Sequence, residues 1–173
     1  MRNLGVDPGS AVTGYGVIER RGDRVRCVDC GTIPAGAGAL PDRLLAVYDG
    51  LAAVVEAYRP SVVAIENAFL DKNVRTLAVI SQTRGVLVLA ARRASLPVFE
   101  YTPREIKRAI VGTGRASKTQ VAYMVGMLLG MTSAGIPRDA TDSLAVALCH
   151  LQRNGARMPL SREIPASVPG RPV

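Results

Sequence analysis

A chain of 173 residues, 48% hydrophobic and 21% charged, is long enough for one sizeable core and too apolar to be disordered. Its 22 basic and 14 acidic side chains give a formal net charge of +8, which points to a polyanionic partner: nucleic acid first, an anionic membrane second. Acidic Asp7 and Pro8 interrupt the place where a secretory h-region is needed. The longest apolar run, Gly85 to Ala91, is bounded by Arg84, Arg92 and Arg93, far short of a bilayer span. The expected compartment is therefore the cytoplasm, in association with the nucleoid. Arginine carries nearly all the positive charge, since Lys72, Lys107 and Lys118 are the only lysines. Its planar fork suits phosphate, although a bias in genome composition gives the same count.

In chain order, Leu4 and Val6 begin a strand that stops at Asp7, because Pro8-Gly9 turns the chain. Asp7 thus stands at the carboxyl end of a buried strand, where open α/β sheets place ligands. An aspartate capping the turn has the same sequence signature. Gly14 to Arg20 reads as a second strand, Gly22-Asp23 as a hairpin turn and Arg24 to Ile33 as a third strand, together an antiparallel meander. Leu40, Leu44, Tyr48, Leu51, Val55 and Tyr58 follow helical spacing, which predicts an amphipathic helix over Pro41 to Arg59, ended by Pro60.

Ser61 to Glu66 is a short apolar run of the kind buried on both sheet faces. A helical crossover makes it parallel to the first strand, so Glu66 and Asp7 emerge at one sheet edge if the two strands are neighbours. Glu66 also fits a strand-end acid that simply reaches water. Asn67 to Asn73 is a loop carrying Phe69 and Lys72; an exposed aromatic beside a cation suits stacking on a base, and packing under the loop is the alternative. Val74 to Ala94 is a long helix, apolar through Leu77, Val79, Ile80, Val86, Leu87 and Leu89, and so belongs to the core or to an oligomer interface.

Pro97 to Tyr101 is a short strand. Thr102-Pro103-Arg104-Glu105 is a capping box that opens a short helix carrying Lys107 and Arg108 and ending at Gly112-Thr113-Gly114. Ser117-Lys118-Thr119-Gln120 is a second capping box, opening a helix through Met131 whose methionines face the core. Pro137 opens the last helix, to about Gln152, with Asp139 and Asp142 on one face of its first turns. The helix macrodipole favours acids there without any ligand. Beyond it, four of the 11 prolines crowd a basic tail. This divides the chain into a domain over 1–153 and a tail over 154–173, expected to be disordered.

Cys27-Val28-Asp29-Cys30 with Cys149-His150 has the spacing of a zinc site. A strand over Val25 to Ile33 puts residues three apart on opposite faces, and helical neighbours diverge by about 100°, so free thiols are expected instead. The carboxylates point elsewhere. Asp7, Glu66, Asp139 and Asp142 arrive from two strand ends and one helix start in a basic protein, a costly clustering unless divalent cations bind between them. All-oxygen ligands select Mg²⁺ or Mn²⁺. Two such ions roughly 4 Å apart suit phosphodiester hydrolysis, with arginines holding the anionic strand.

The motifs Gly5-Val6-Asp7-Pro8-Gly9, Ala64-Ile65-Glu66-Asn67-Ala68-Phe69 and Asp139-Ala140-Thr141-Asp142-Ser143-Leu144-Ala145, in that order, resemble the RuvC family of bacterial Holliday junction resolvases. The resemblance covers roughly Arg2 to Leu151. It implies a ribonuclease H-like α/β fold, a five-stranded mixed sheet flanked by helices, acting as a homodimer. It implies that Asp7, Glu66, Asp139 and Asp142 bind two Mg²⁺ or Mn²⁺ ions, that Lys107 and Lys118 assist catalysis, and that Phe69 stacks on bases of the opened junction. Lys72, Arg75 and Arg115 are further candidates for DNA contacts. The implied reaction is a one-step attack by water leaving a 5′-phosphate and a 3′-hydroxyl, as two opposed nicks in a four-way DNA junction, in recombination and repair. The RuvA–RuvB branch-migration complex is the implied partner. Another nuclease of the same fold and a non-catalytic junction-binding protein are the alternatives. Asp7-Pro8-Gly9-Ser10 also looks like the first phosphate loop of actin-like ATPases and sugar kinases, but 173 residues leave no room for their second domain.

The tail is expected to be dispensable. Truncation after Asn154 should leave both the cooperative melt and junction cleavage at low salt intact; loss of either assigns the tail a structural or binding role.

Overall fold

The computed structural model describes residues 1–67, 73–131 and 136–154. Five strands, β1 (Arg2–Asp7), β2 (Val12–Arg21), β3 (Arg24–Pro34), β4 (Val62–Glu66) and β5 (Val98–Tyr101), form one sheet in the order β3-β2-β1-β4-β5. The first three pair antiparallel, whereas β4 runs parallel to β1 and β5 parallel to β4. The mixed α/β sheet of the sequence reading is thus present, with β1 at its centre. Val6 lies beside Ile65, so the carboxyl ends of β1 and β4 leave the sheet together.

Alternation along the strands builds two cores. Leu4, Val6, Val17, Val63 and Ile65 face one side and are covered by α1 (Leu40–Tyr58) and α2 (Val74–Arg93). Ile18 and Ala64 face the other side, with α3 (Pro103–Val111), α4 (Lys118–Leu129) and α5 (Arg138–Arg153). Eleven of the sixteen residues of α5 are buried, which makes it the central helix of the molecule. Both expected capping boxes are formed, Thr102 with Glu105 and Ser117 with Gln120.

The structure departs from the sequence reading in several places. Helix α4 ends at Leu129 and not at Met131, because Gly130 takes the left-handed conformation at φ 63° and closes the C-cap. Helix α2 is not central to the core: only Thr83, Leu87, Ala90 and Ala91 are buried, and Leu89 remains 55% exposed. Among the described helices it is also the one long and apolar enough to cross a membrane, by length and composition only. Cys27 and Cys30 do not point to opposite faces, the arrangement that simple alternation predicts. Val17 pairs with Asp29 and Ile18 with Cys27, so Val28 is the extra residue of a β-bulge. Both thiols consequently face the same core, on the α5 side. Burial pushes Cys27 and Cys149 up to about 12, and Cys149 is fully enclosed. The three cysteines are free thiols, as expected. The tail, expected to be disordered, lies outside the described residues.

His150 closes the far end of the α5 core. Its Nδ1 shares a 2.8 Å hydrogen bond with the Tyr101 hydroxyl, its ring centroid lies 4.6 Å from that of Phe99, and Asn154 packs against it. The charged neighbours are Arg153, over the Tyr101 ring, and its ion-pair partner Glu105. Burial lowers the His150 pKa below the usual 6.5. A base held neutral in the folded state contributes its full stability above pH ~6.5, and loses it as the unfolded chain takes up a proton at lower pH. Between pH 7 and 5.5 His150 therefore lowers the thermal stability, while the raised Asp7 and Glu66 carboxyls act in the opposite direction. His150→Gln should remove its share, shifting the slope so that melts at pH 5.5 rise relative to those at pH 7. An unchanged slope in the variant removes His150 as a contributor.

Candidate active site

The site lies at the carboxyl edge of β1 and β4. Asp7 closes β1, Glu66 closes β4, and α5 begins directly across the edge, presenting Asp142 one turn in from its start and the more exposed Asp139 before it. What permits this approach is the absence of side chains. Gly5 pairs with Gly16, and Asp7 pairs with Gly14, on adjacent strands. A Cβ on Gly5 would overlap the Ser143 carbonyl and the Ala147 backbone, one on Gly16 the Leu144 side chain, and one on Gly14 the carbonyl of Asp139. Helix α5 therefore rests on bare backbone at three points, and its first turn is held against the end of β1.

The electrostatics follow from that packing. Burial first, then the charges of Glu66, Asp142 and Asp139, push the Asp7 carboxyl up to about 8, with Lys118 acting in the opposite direction. Burial and Asp142 likewise raise Glu66, while Lys118 and Lys107 oppose the shift. Lys118 donates to Asp142 Oδ2 at 2.7 Å, and this contact, with the nearby Asp7 and Glu66, raises its own pKa. The structure thus brings Asp7, Glu66, Asp142 and Lys118 together, with Asp139 and Lys107 within electrostatic reach. Among the described residues no group of three or more His, Cys, Asp or Glu side chains is gathered tightly enough to hold an ion as it stands. Among the same residues no hydrogen bond reaches the Asp7 carboxylate. An all-carboxylate donor set with that much mutual repulsion fits a hard divalent cation better than any other ligand.

From the acids an open cleft of about 380 Å³ runs between α4 and α5, lined by Lys118, Thr119, Arg138, Thr141 and Asp142 among others. Arg75, in the first turn of α2, and Arg115, in the connection before α4, are both exposed. Phe69 and Lys72 lie outside the described residues. The sequence reading missed a support for Glu66. Glu100 on β5 accepts two hydrogen bonds from Arg84, at 2.8 and 2.7 Å, and one from Asn67 Nδ2 at 3.1 Å. Asn67 also donates its backbone N–H to the Tyr101 carbonyl. The residue after Glu66 is thereby tied to β5 and α2. Neither contact has a local sequence signal, since the partners are brought together only by the β4–β5 pairing.

The sequence profile described as "Crossover junction endodeoxyribonuclease RuvC" matches residues 3–150. The chain belongs to the RuvC family. A RuvC crossover junction endodeoxyribonuclease of Pelotomaculum thermopropionicum is 49% identical over 148 residues, covering 85% of this chain and 90% of the relative. That of Chloroflexus aggregans is 46% identical, covering 87% and 92%. Among solved structures, Thermus thermophilus RuvC in complex with a Holliday junction substrate superposes with a TM-score of 0.82 at 30% identity, covering 90% of this chain and 97% of that one. The mixed sheet with its helices is accordingly the ribonuclease H-like fold of RuvC, and the chain is an enzyme of a metal-dependent nuclease family that acts on DNA.

The glycine contacts make a direct prediction. Gly14→Ala drives a methyl group into the first turn of α5 and should cost about 1–3 kcal/mol, the usual penalty of overpacking. Cleavage measured well below the melting temperature should fall further than that loss explains, by ~10²-fold, because Asp139 and Asp142 move with the helix. Wild-type cleavage by a folded Gly14→Ala protein would show that the position of the α5 start does not matter.

Proposed function

We propose that this chain resolves four-way DNA junctions by paired, symmetric nicks, as a homodimer with one site per protomer. The observation that carries the reading is the meeting of Asp7, Glu66 and Asp142, with Asp139 beside them, at one sheet edge of a basic chain whose residues 3–150 match the RuvC profile. The name of the Thermus thermophilus complex supplies the substrate class.

In this reading Asp7, Glu66, Asp139 and Asp142 hold two Mg²⁺ or Mn²⁺ ions. When bound, the ions supply the positive charge that favours attack by water and departure of the 3′ oxygen. The protein's own groups do the remaining work. Asp7 and Glu66, fixed at strand ends, set the position of the scissile phosphate along the sheet edge. Asp142 and Asp139 complete the donor set from α5. Lys118, paired with Asp142, is an internal counter-charge that can turn to the phosphate once the acids are neutralised, and Lys107 faces the same edge from α3. Phe69 stacks on an unpaired base, while Lys72, Arg75 and Arg115 hold the backbone. The half-exposed face of α2, with Leu89 and Val74 uncovered, is the surface a second copy would bury. Its twofold axis would match the symmetry of the junction. The RuvA–RuvB complex delivers the junction, in the cytoplasm at the nucleoid.

Asp7→Asn tests the assignment. Cleavage of a synthetic four-way junction in Mg²⁺ or Mn²⁺ should fall more than ~100-fold, since loss of an ion position is worth several kcal/mol. Gel-shift affinity in EDTA should hold at neutral pH, where the Asp7 carboxyl is already largely protonated, and tighten above pH 8, where the wild-type carboxylate repels the backbone. Thermal stability in metal-free buffer should not fall. Cutting at the wild-type rate removes the two-ion assignment, and a loss of stability without a selective loss of cutting returns Asp7 to a structural role.

A further inference from the structure

The sheet has a second charged end, opposite the carboxylates, which the proposed reaction does not use. In the pairing of β1, β2 and β3, Arg2 lies opposite Glu19, Glu19 opposite Arg26, and Arg21 opposite Arg24. Paired residues project to the same face, as do residues two apart on one strand. Arg2, Arg21, Arg24 and Arg26 therefore surround Glu19 on a single face. It is the face covered further along by α1, since Arg2 Nη1 donates to the Tyr58 carbonyl at 2.7 Å. Arg59, exposed at the C-cap of α1, adjoins the group.

Glu19 organises this surface. Its carboxylate takes Arg2 at 3.3 Å, Arg21 at 2.8 Å and Arg26 at 2.7 Å. The Glu19 side chain is only 9% exposed, whereas those of Arg21 and Arg26 are 72% and 56% exposed. A guanidinium has five donors. Arg2 is spent on Glu19 and the Tyr58 carbonyl, whereas Glu19 occupies only one or two on Arg21 and Arg26, which leaves donors of these two exposed guanidiniums for a ligand on a fixed base. Against five arginines the end of the hairpin carries two acids, Glu19 and Asp23, while Asp29, further along the same face, accepts from the Tyr15 hydroxyl at 2.7 Å. Against an acidic protein surface stands the scarcity of apolar anchors: the exposed large apolar residues sit elsewhere, apart from Met1. Guanidiniums on adjacent strands about 4.8 Å apart, repeating at about 6.7 Å along each strand, make a lattice of donors suited to a phosphodiester backbone.

We propose that this arginine platform binds the backbone of a duplex arm of the DNA substrate, away from the reacting phosphate. The inference rests on the junction-cleaving reading above. Arg2 is five residues from Asp7 along β1 and Arg26 lies opposite Glu19, so both stand ~17 Å from the acids. Asp7 pairs with Gly14 and Arg21 is seven residues further along β2, so the outer edge of the platform, Arg21 with Arg24, lies ~23 Å away. At 3.4 Å per base pair, that places its contacts from about five base pairs, and those of Arg21 and Arg24 at about seven, from the branch point.

The test is a hydroxyl-radical footprint of wild-type protein on a four-way junction with arms of about 30 base pairs, in EDTA, paired with the salt dependence of binding. In the Arg21→Gln/Arg24→Gln/Arg59→Gln variant, protection beyond about seven base pairs should disappear while protection at the branch point persists. The salt slope should drop by roughly 0.9 for each phosphate that is no longer neutralised. Arg2 and Arg26 are kept so that Glu19 stays paired. Identical footprint and slope in the two proteins overturn the platform. Should the triple variant fail to fold, Asp23→Lys decides: a steeper slope and tighter binding support the platform, and unchanged binding overturns it. Absence of branch-point protection and of cleavage in wild type would instead overturn the junction reading itself.

Discussion

Helix α5 lies against backbone, and most of the site's chemistry depends on that closeness. A helix normally stands about 10 Å from a sheet because side chains fill the gap. Here Gly5, Gly14 and Gly16 leave the gap unfilled at three points along the helix, and the carbonyls of Asp139 and Ser143 come down to the strands. The same approach buries eleven residues of α5 and brings its two acids to the ends of β1 and β4. The packing of the core and the geometry of the candidate site are thereby joined in one contact. The burial that stabilises the helix also holds four like charges together, and the mutual repulsion is the cost.

That cost is visible in the protonation of the acids. Asp7 reaches about 8 because burial and three neighbouring carboxylates all disfavour its charge. Lys118 partly offsets them from the N-terminus of α4, where a capping box fixes the helix start one residue before it. A single ammonium cannot neutralise four acids. The remaining imbalance makes the site receptive to divalent cations, and the arginines elsewhere on the surface keep the whole molecule attractive to DNA.

Much of this was legible in the sequence because the signals were local. The Pro8-Gly9 stop placed Asp7 at a strand end, the apolar run before Glu66 placed it likewise, and the spacing of Asp139 and Asp142 put both on one helix face. The capping boxes at Thr102 and Ser117 marked two helix starts. The contacts that depend on pairing between distant strands were not legible. The bulge at Val28 reversed the expected facing of Cys27 and Cys30, since one extra residue resets alternation and has no marker in Cys-Val-Asp-Cys. Helix α2 was expected in the core or at an oligomer interface, and its exposure removes the first of these. Apolar residues around most of a helix say that it needs cover, not where the cover comes from. The three glycines opposite α5 were the readable signal that went unused, since glycine inside a strand marks a close backbone approach.

The Val28 bulge has a consequence beyond the thiols. Strand β3 is the longer of the sheet's two edge strands, eleven residues against four in β5, and such an edge presents a row of unpaired backbone groups to any other chain. An extra residue in mid-strand breaks the regular repeat that a foreign strand would have to match, and increases the local twist. Arg24 and Arg26 at its start add charge that two copies would have to bring together. The irregularity in β3 thus works against edge-to-edge pairing of one copy of the chain with another.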